Sequence, residues 1–145
     1  MISVFTVDKI DARLIEAFDR LLPQLSASLV TPSTETLQRM VCAPSMRLMA
    51  AQCGQQIVGM LSLVWYDVPS GRHAWIEDVV VDAAQRRDGV GEALVRAAVE
   101  CARHEKCDKI SLTSHASRAA AHALYRKVGF ERYDTTLFRL KIDTI

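Results

Sequence analysis

The stretch of sequence that decides the fold is residues 79–94, VVVDAAQRRDGVGEAL, in which three valines lead into a turn with two glycines and then into a helical pattern. Glycines such as Gly89 and Gly91 let backbone N–H groups face outward, and the start of a helix adds about half a positive charge. Arg86 and Arg87 add fixed positive charge in a geometry that matches phosphate oxygens. The segment therefore predicts a local diphosphate site, with a purely structural turn as the alternative.

Two well-known phosphate motifs do not fit this segment. A Rossmann fingerprint requires a further glycine where the chain has Leu94, and a P-loop requires Gly-Lys-Ser/Thr, which the sequence lacks. The Gly-x-Ser-x-Gly turn of serine hydrolases is missing as well. The diphosphate site is therefore expected to belong to another class of protein.

The composition, 50% hydrophobic and 24% charged, places the chain among ordinary globular proteins, and its length predicts one domain over residues 1–145. The formal net charge is only +1, so the chain lacks the overall basic field that nucleic-acid binding normally requires. The four cysteines lack zinc-site spacing, and the sequence shows neither a secretory leader nor an apolar run that could span a bilayer. These observations predict a cytoplasmic protein with free thiols, no bound metal, no nucleic-acid partner and no membrane partner.

Strand and helix patterns can be assigned along most of the chain. Pro23 is expected to interrupt the first helix, and Thr31-Pro32 is expected to cap and open the second. A strand, a helix and a second strand in succession favour a parallel crossover after residue 81. The predicted order is a strand at 2–7, a helix from Asp11, a short helix ending near 41, strands near 47–52, 57–66 and 73–81, a helix from Val90, a strand at 110–113, a helix at 119–128 and a closing pair of strands within 130–142.

Three motifs that occur in order along the chain resemble one family. Arg86-x-x-Gly89-x-Gly91 resembles the Gln/Arg-x-x-Gly-x-Gly/Ala signature of the GNAT acetyltransferases. Residues 75–81, WIEDVVV, resemble that family's fourth strand, and residues 121–130, AHALYRKVGF, resemble its last helix. The resemblance implies an α/β (α+β) fold with a twisted, mixed but mostly antiparallel sheet of about six to seven strands, about four helices, and a parallel, splayed pair of strands near 74–81 and 109–114.

The same resemblance implies acetyl-coenzyme A as the acetyl donor and suggests roles for the matching residues. Glu77 stands where the family often places its base, and a regular strand would point Asp78 to the opposite face. Tyr125 matches the tyrosine that protonates the departing thiolate. Arg118 replaces the Asn that many relatives carry seven residues before that tyrosine, and it could instead contact a phosphate or simply cap the helix surface. The residues expected to bind the cofactor are Val79, Val80 and Val81 through their backbone, Arg86, Arg87, Asp88, Gly89, Val90, Gly91 and Glu92 around the diphosphate, and Arg118.

Simpler roles stand beside these expectations. Glu77 can be a surface carboxylate, Tyr125 a core aromatic residue, and His122 a packed helical residue rather than a second base. The predicted function is acetyl transfer to a primary amine of a small molecule. The alternatives are a protein Lys or N-terminal acetyltransferase and a non-catalytic module that binds acetyl-coenzyme A. Many relatives pair as dimers, so a homodimer is also an expectation.

Overall fold

The computed structural model describes residues 1–86 and 88–143, which form a mixed α/β structure. Within these ranges, none of the helices is both long enough and apolar enough to cross a membrane. The elements in chain order are β1 (Ile2–Thr6), α1 (Ala12–Leu25), α2 (Thr34–Cys42), β2 (Met46–Cys53), β3 (Gln56–Val68), β4 (Gly71–Val81), a short 3-10 helix (Ala83–Gln85), α3 (Val90–His104), β5 (Lys109–Ser111) and α4 (Ala119–Val128).

Local capping explains where the first two helices begin and corrects two predictions. Asp11 accepts a hydrogen bond from the Leu14 N–H at 2.9 Å and starts α1. Ser33, not Thr31, caps α2. The predicted interruption at Pro23 is wrong, because Pro23 lies in the last turn of α1 and removes only one backbone donor before the helix ends at Leu25.

The five described strands form one sheet in the order β1-β2-β3-β4-β5. All neighbours are antiparallel except β4 and β5, which are parallel and pair only between residues 73–75 and 109–111. The prediction of a mixed, mostly antiparallel sheet with this parallel pair is confirmed, whereas the expected number of strands was too high. The sheet therefore opens between β4 and β5 beyond Trp75 and Ser111.

The predicted closing pair of strands is not found among residues 130–143, which the structure describes without any strand. Leu137 and Arg139 of this segment line a cavity, but Leu137, Phe138 and Leu140 are 61%, 89% and 84% exposed. The segment pairs with no described strand edge, and a strand requires such a hydrogen-bonding partner.

Two apolar cores cover the two faces of the sheet. The face under α3 and α4, the α3 face, includes Leu61 and Leu63 of β3 and Ala74 and Ile76 of β4. The face under α1 and α2, the α1 face, includes Met60 of β3. Helix α3 approaches β3 so closely that a Cβ added to Gly59 would lie 2.8 Å from Val90 Cγ1. This close packing fixes the start of α3 against the centre of the sheet.

Strand β4 changes phase at Asp78. Ser62 pairs with Glu77 and Met60 with Val80, so Asp78 and Val79 together lie opposite Leu61. Asp78 has a positive φ of 52°. This extra residue is a β-bulge, and it corrects the assumption of a regular strand. Consequently, the α3 face receives an even-numbered side chain before the bulge, Ile76, and odd-numbered side chains after it, Val79 and Val81.

Candidate active site

The turn between β4 and α3 ends in a helix start with no side-chain cap. Gly89 is the N-cap residue of α3 and has a φ of 83°. Its carbonyl oxygen accepts a hydrogen bond from the Ala93 N–H at 3.0 Å. The first three N–H groups of a helix have no acceptor within the helix, so those of Val90, Gly91 and Glu92 remain available at this end. An anion at this point would meet these donors and the positive end of the helix dipole.

The two glycines of the turn serve different structural needs. A Cβ added to Gly89 would have no heavy atom within 4 Å, so this position needs glycine for its positive φ. A Cβ added to Gly91 would lie 3.2 Å from Leu124 Cδ2 and 3.7 Å from Val81 Cγ2. Gly91 therefore also lets α3 approach α4, a packing role that the sequence pattern did not reveal.

Helix α1 holds the beginning of the turn. Arg20 donates to Asp82 Oδ2 and to the Ile57 carbonyl, both at 2.7 Å. Gln24 Oε1 accepts the Ala83 N–H at 2.8 Å. The backbone N–H of Ala84, and after it the hydrogen bond from Arg20, hold the pKa of Asp82 below its usual value. These contacts fix the turn from the side of α1.

Charges around the turn are unevenly placed. Arg86 and Asp88 are exposed, and the predicted phosphate contact of Arg87 lies outside the described residues. Glu92, in the first turn of α3, accepts hydrogen bonds from Lys127 at 2.8 Å and from Arg96 at 2.9 Å. The bond from Lys127, followed by that from Arg96, lowers the pKa of Glu92. These two cations offset a carboxylate that would otherwise repel a phosphate.

A cavity lies beside an earlier part of β4. There Glu77 faces an open space of about 320 Å³ on the α1 face. Trp75 donates its indole N–H to the Tyr66 hydroxyl at 2.7 Å, which fixes an aromatic wall beside the carboxylate. Asp78 does not line this cavity. The lining residues are Val64, Tyr66, Trp75, Glu77, Thr113, Leu137 and Arg139.

The opening between β4 and β5 lies between this cavity and the turn. The described part of β5 pairs with residues 73–75 only, so Val79, Val80 and Val81 have no partner strand on that side. Just after β5, the Ser114 hydroxyl is buried and has no hydrogen-bond partner among the described residues. An extended chain with amide groups could pair with this free edge.

Tyr125 lies on the other side of the sheet from Glu77. It is 8% exposed in the core under α3 and α4 and packs edge-to-face with Phe130 at a ring distance of 6.0 Å. Burial raises the pKa of its phenol, and the positive charge of Arg118 opposes that shift. The structure thus places Arg118 electrostatically near Tyr125 but does not bring Tyr125 and Glu77 into one cavity.

His122 has a structural contact that argues against a role as second base. Its Nε2 lies 3.0 Å from the carbonyl oxygen of His115 and must donate, because a carbonyl only accepts. His115 in turn bonds through Nδ1 to Ser117 at 2.7 Å. The pair holds the loop that precedes α4. Among the described residues, no cluster of three or more His, Cys, Asp or Glu side chains is suited to a metal ion, and the predicted lack of a metal stays a prediction.

Sequence reasoning missed most of the cavity wall. Trp75 could have been found, since it lies two residues before Glu77 and a regular strand places both on one face. The place of Tyr66 in the wall depends on the β3–β4 hairpin register, in which Tyr66 pairs with His73. Arg139 carried no signal, because its place beside Glu77 depends on how the segment after α4 returns to the sheet.

The splayed β4–β5 pair thus lies next to the uncapped start of α3. The sequence model described as "Acetyltransferase (GNAT) family" matches residues 14–130. This chain belongs to that family. The match covers all four helices from within α1 onward, together with the turn and the cavity residues up to Thr113.

Named relatives agree with this assignment. The chain is 30% identical over 95 residues to the L-amino acid N-acetyltransferase AaaT of Escherichia coli K12, covering 65% of this chain and 59% of the relative. It is 32% identical over 74 residues to human N-alpha-acetyltransferase 30, covering 51% of this chain and 20% of the relative. In both cases the match spans less than two thirds of the relative's own length.

A solved structure supports the fold. An aminoglycoside acetyltransferase from an uncultured soil metagenomic sample superimposes with a TM-score of 0.86 at 20% identity, covering 99% of each chain. At this level of identity, the likeness shows a shared fold only.

Proposed function

We propose that this protein transfers the acetyl group of acetyl-coenzyme A to a primary amine of a small molecule by direct attack. The observation that carries the proposal is the free edge of β4, which runs from Glu77 at an open cavity to the uncapped start of α3. The first end suits an acceptor amine, and the second suits a diphosphate. Acetyl-coenzyme A, when bound, supplies a reactive thioester whose C–S bond breaks as the new N–C bond forms.

The residues of this chain divide the proton transfers and the charge stabilisation between them. An alkylammonium has a pKa of about 10, so Glu77 accepts a proton from the acceptor, directly or through a water molecule, before the nitrogen can attack. A backbone N–H among Val79, Val80 and Val81 donates to the oxyanion that develops. Tyr125, whose pKa is raised by burial, lies on the other face of the sheet from Glu77 and gives a proton to the departing thiolate across the opening between β4 and β5.

The first experiment combines binding with turnover. Calorimetry with acetyl-coenzyme A should show binding, and a panel of amines should release coenzyme A thiol. Glu77→Gln should then lower kcat/KM and remove the acidic limb of its pH profile. Asp78→Asn is the matched control, because Asp78 is an exposed neighbour that does not line the cavity. An acidic limb that survives in the Glu77→Gln protein would exclude Glu77 as the base.

The second experiment removes one hydroxyl group. Tyr125→Phe should lower kcat by about 100- to 10,000-fold and leave acetyl-coenzyme A binding nearly unchanged, because the ring still fills its place in the core. Tyr133→Phe is the control, since Tyr133 is 77% exposed on the segment after α4. Equal turnover in the Tyr125→Phe protein and the wild type would exclude general-acid catalysis by Tyr125.

A protein N-terminus is the second candidate acceptor, because one relative is named an N-alpha-acetyltransferase. The cavity of about 320 Å³ favours a small molecule, since it is at the lower end of the size of ligand sites. Acetylation of short peptides with kcat/KM above that of every small amine would reverse this preference. Binding of acetyl-coenzyme A without thiol release in any assay would favour a non-catalytic module.

We also propose a homodimer. The described segment after α4 exposes large apolar side chains, including Phe138 at 89% and Ile142 at 80%, which a second copy could cover. Light scattering should give twice the chain mass for the wild type and the mass of one chain for Phe138→Ser. A monomeric wild type at assay concentration would contradict this.

A cytoplasmic location is proposed on the state of the thiols. Cys42, Cys53, Cys101 and Cys107 are all free, which suits a reducing compartment. Cell fractionation with antibody detection tests the location.

A further inference from the structure

Two opposite charges face the same cavity without neutralising each other. Glu77 and Arg139 both line it, on β4 and on the segment after α4. Among the described residues, neither side chain takes part in an ion pair, with the other or with a third group. The cavity therefore offers an acceptor one carboxylate and one guanidinium, separated by more than an ion-pair distance.

The charges that line the cavity limit the net charge that an acceptor amine can carry. Glu77 is the only acidic residue and Arg139 the only basic residue among the described lining residues. An amine with several ammonium groups would bring surplus positive charge against Arg139, whose guanidinium cannot lose its proton. An amine that carries one anionic group matches both walls, because its ammonium group faces Glu77 and its anion faces Arg139.

The neutral part of the wall suits a compact acceptor. The Tyr66 and Trp75 rings are fixed by their hydrogen bond, and Val64 and Leu137 add apolar surface. A cavity of about 320 Å³ has room for an amino acid with an apolar side chain but little for a linked set of sugar rings. Guanidinium groups bind carboxylates and phosphates through paired, directional hydrogen bonds.

We infer that the acceptor is a small zwitterion, an amine bearing a single carboxylate or phosphonate group, and that Arg139 binds this anionic group while the amine faces Glu77. The inference rests on the proposed acetyl transfer and specifies the substrate class of that same site. Arg139 is a specificity residue in this arrangement, since it contacts the acceptor away from the reacting nitrogen.

The test compares substrates and variants in one matrix. The substrates are L-amino acids, the corresponding amides that lack the negative charge, 1-aminoethylphosphonate, and kanamycin as a polycation. The variants are Arg139→Gln and the control Arg132→Gln, because Arg132 is exposed on the same segment and does not line the cavity. Steady-state assays give KM and kcat for each combination.

In the wild type and in Arg132→Gln, KM should be about 10- to 100-fold lower for an amino acid than for its amide, as expected for one charge-assisted contact. Arg139→Gln should erase this preference through KM, with little change in kcat for the amide. A preference for the phosphonate over the carboxylate would keep the role of Arg139 and identify the anion. Equal KM values for acid and amide in the wild type, an intact preference in Arg139→Gln, or the lowest KM for kanamycin would each overturn the inference.

A binding measurement separates this inference from the proposed function. Calorimetry titrates each L-amino acid into the protein saturated with coenzyme A. Binding that Arg139→Gln abolishes, without turnover of any amine, supports the zwitterion site and refutes catalysis. Turnover limited to amides or polycations supports catalysis and refutes the zwitterion site. Absence of both binding and turnover refutes both.

Discussion

Gly89→Ala tests the link between backbone conformation and cofactor binding. Gly89 has a φ of 83° and space for a Cβ, so the cost of alanine comes from the backbone alone. A left-handed conformation costs an L-residue about 1–2 kcal/mol, and the reduced freedom of the unfolded chain returns about 0.4–1 kcal/mol. We therefore expect the free energy of unfolding to fall by about 1 kcal/mol, which lowers Tm by roughly 3 °C for a chain of this length.

The binding readout distinguishes strain at the turn from strain elsewhere. Gly54 provides the control, since it has a φ of 62° in the β2–β3 turn and equal space for a Cβ. Gly54→Ala should cost similar stability without changing the Kd of acetyl-coenzyme A. Gly89→Ala should raise that Kd, because the free N–H groups of α3 change direction, and Gly89→Asn should do so less, since asparagine tolerates this conformation.

Thermal unfolding gives the stability of each variant, and calorimetry gives its Kd. If Gly89→Ala and Gly54→Ala change the Kd equally, or if neither changes it, the start of α3 does not hold the diphosphate and the reasoning fails.

Three further predictions concern stability and pH. Gly59→Ala places a Cβ 2.8 Å from Val90 Cγ1 and should lower the free energy of urea unfolding by about 1–3 kcal/mol; an unchanged midpoint would contradict the packing. Arg20→Met leaves the carboxylate of Asp82 without its cation and should cost about 1–2 kcal/mol at pH 7. Because the folded pKa of Asp82 is lowered, this difference should persist above the usual pKa of an aspartate and fade as the pH falls through the folded value. Tyr125 has a raised pKa, so Tyr125→Phe should not alter the pH dependence of stability below about pH 10; a difference that develops between pH 7 and 9 would show that the phenol ionises there.

The sequence correctly predicted those helices and connections that are determined by neighbouring residues. Helix α4 spans Ala119–Val128, as its apolar spacing and the following Gly129 indicated, and α3 starts at Val90 after Gly89. The parallel crossover followed from the succession of strand, helix and strand. In these places neighbouring residues determine the structure.

Features that depend on distant pairing were not predictable. The bulge at Asp78 is defined by its register against β3, and no residue type near it marks the extra position. The segment after α4 has the alternation of a strand but no strand edge to pair with, and Arg139 reaches the cavity only through the course of that segment. The candidate site was therefore predicted on the cofactor side and largely missed on the acceptor side.

The extra residue in β4 lets two side chains that are two positions apart face opposite sides of the sheet. In a strand of regular alternation Glu77 and Val79 would share one face, because successive side chains point to opposite faces. The bulge separates them, so that Glu77 lines the cavity while Val79 and Val81 fill the core under α3. A regular conformation at Asp78 would turn the three valines to the wrong faces, whereas deletion of Asp78 would remove the bulge and leave each valine on its present face.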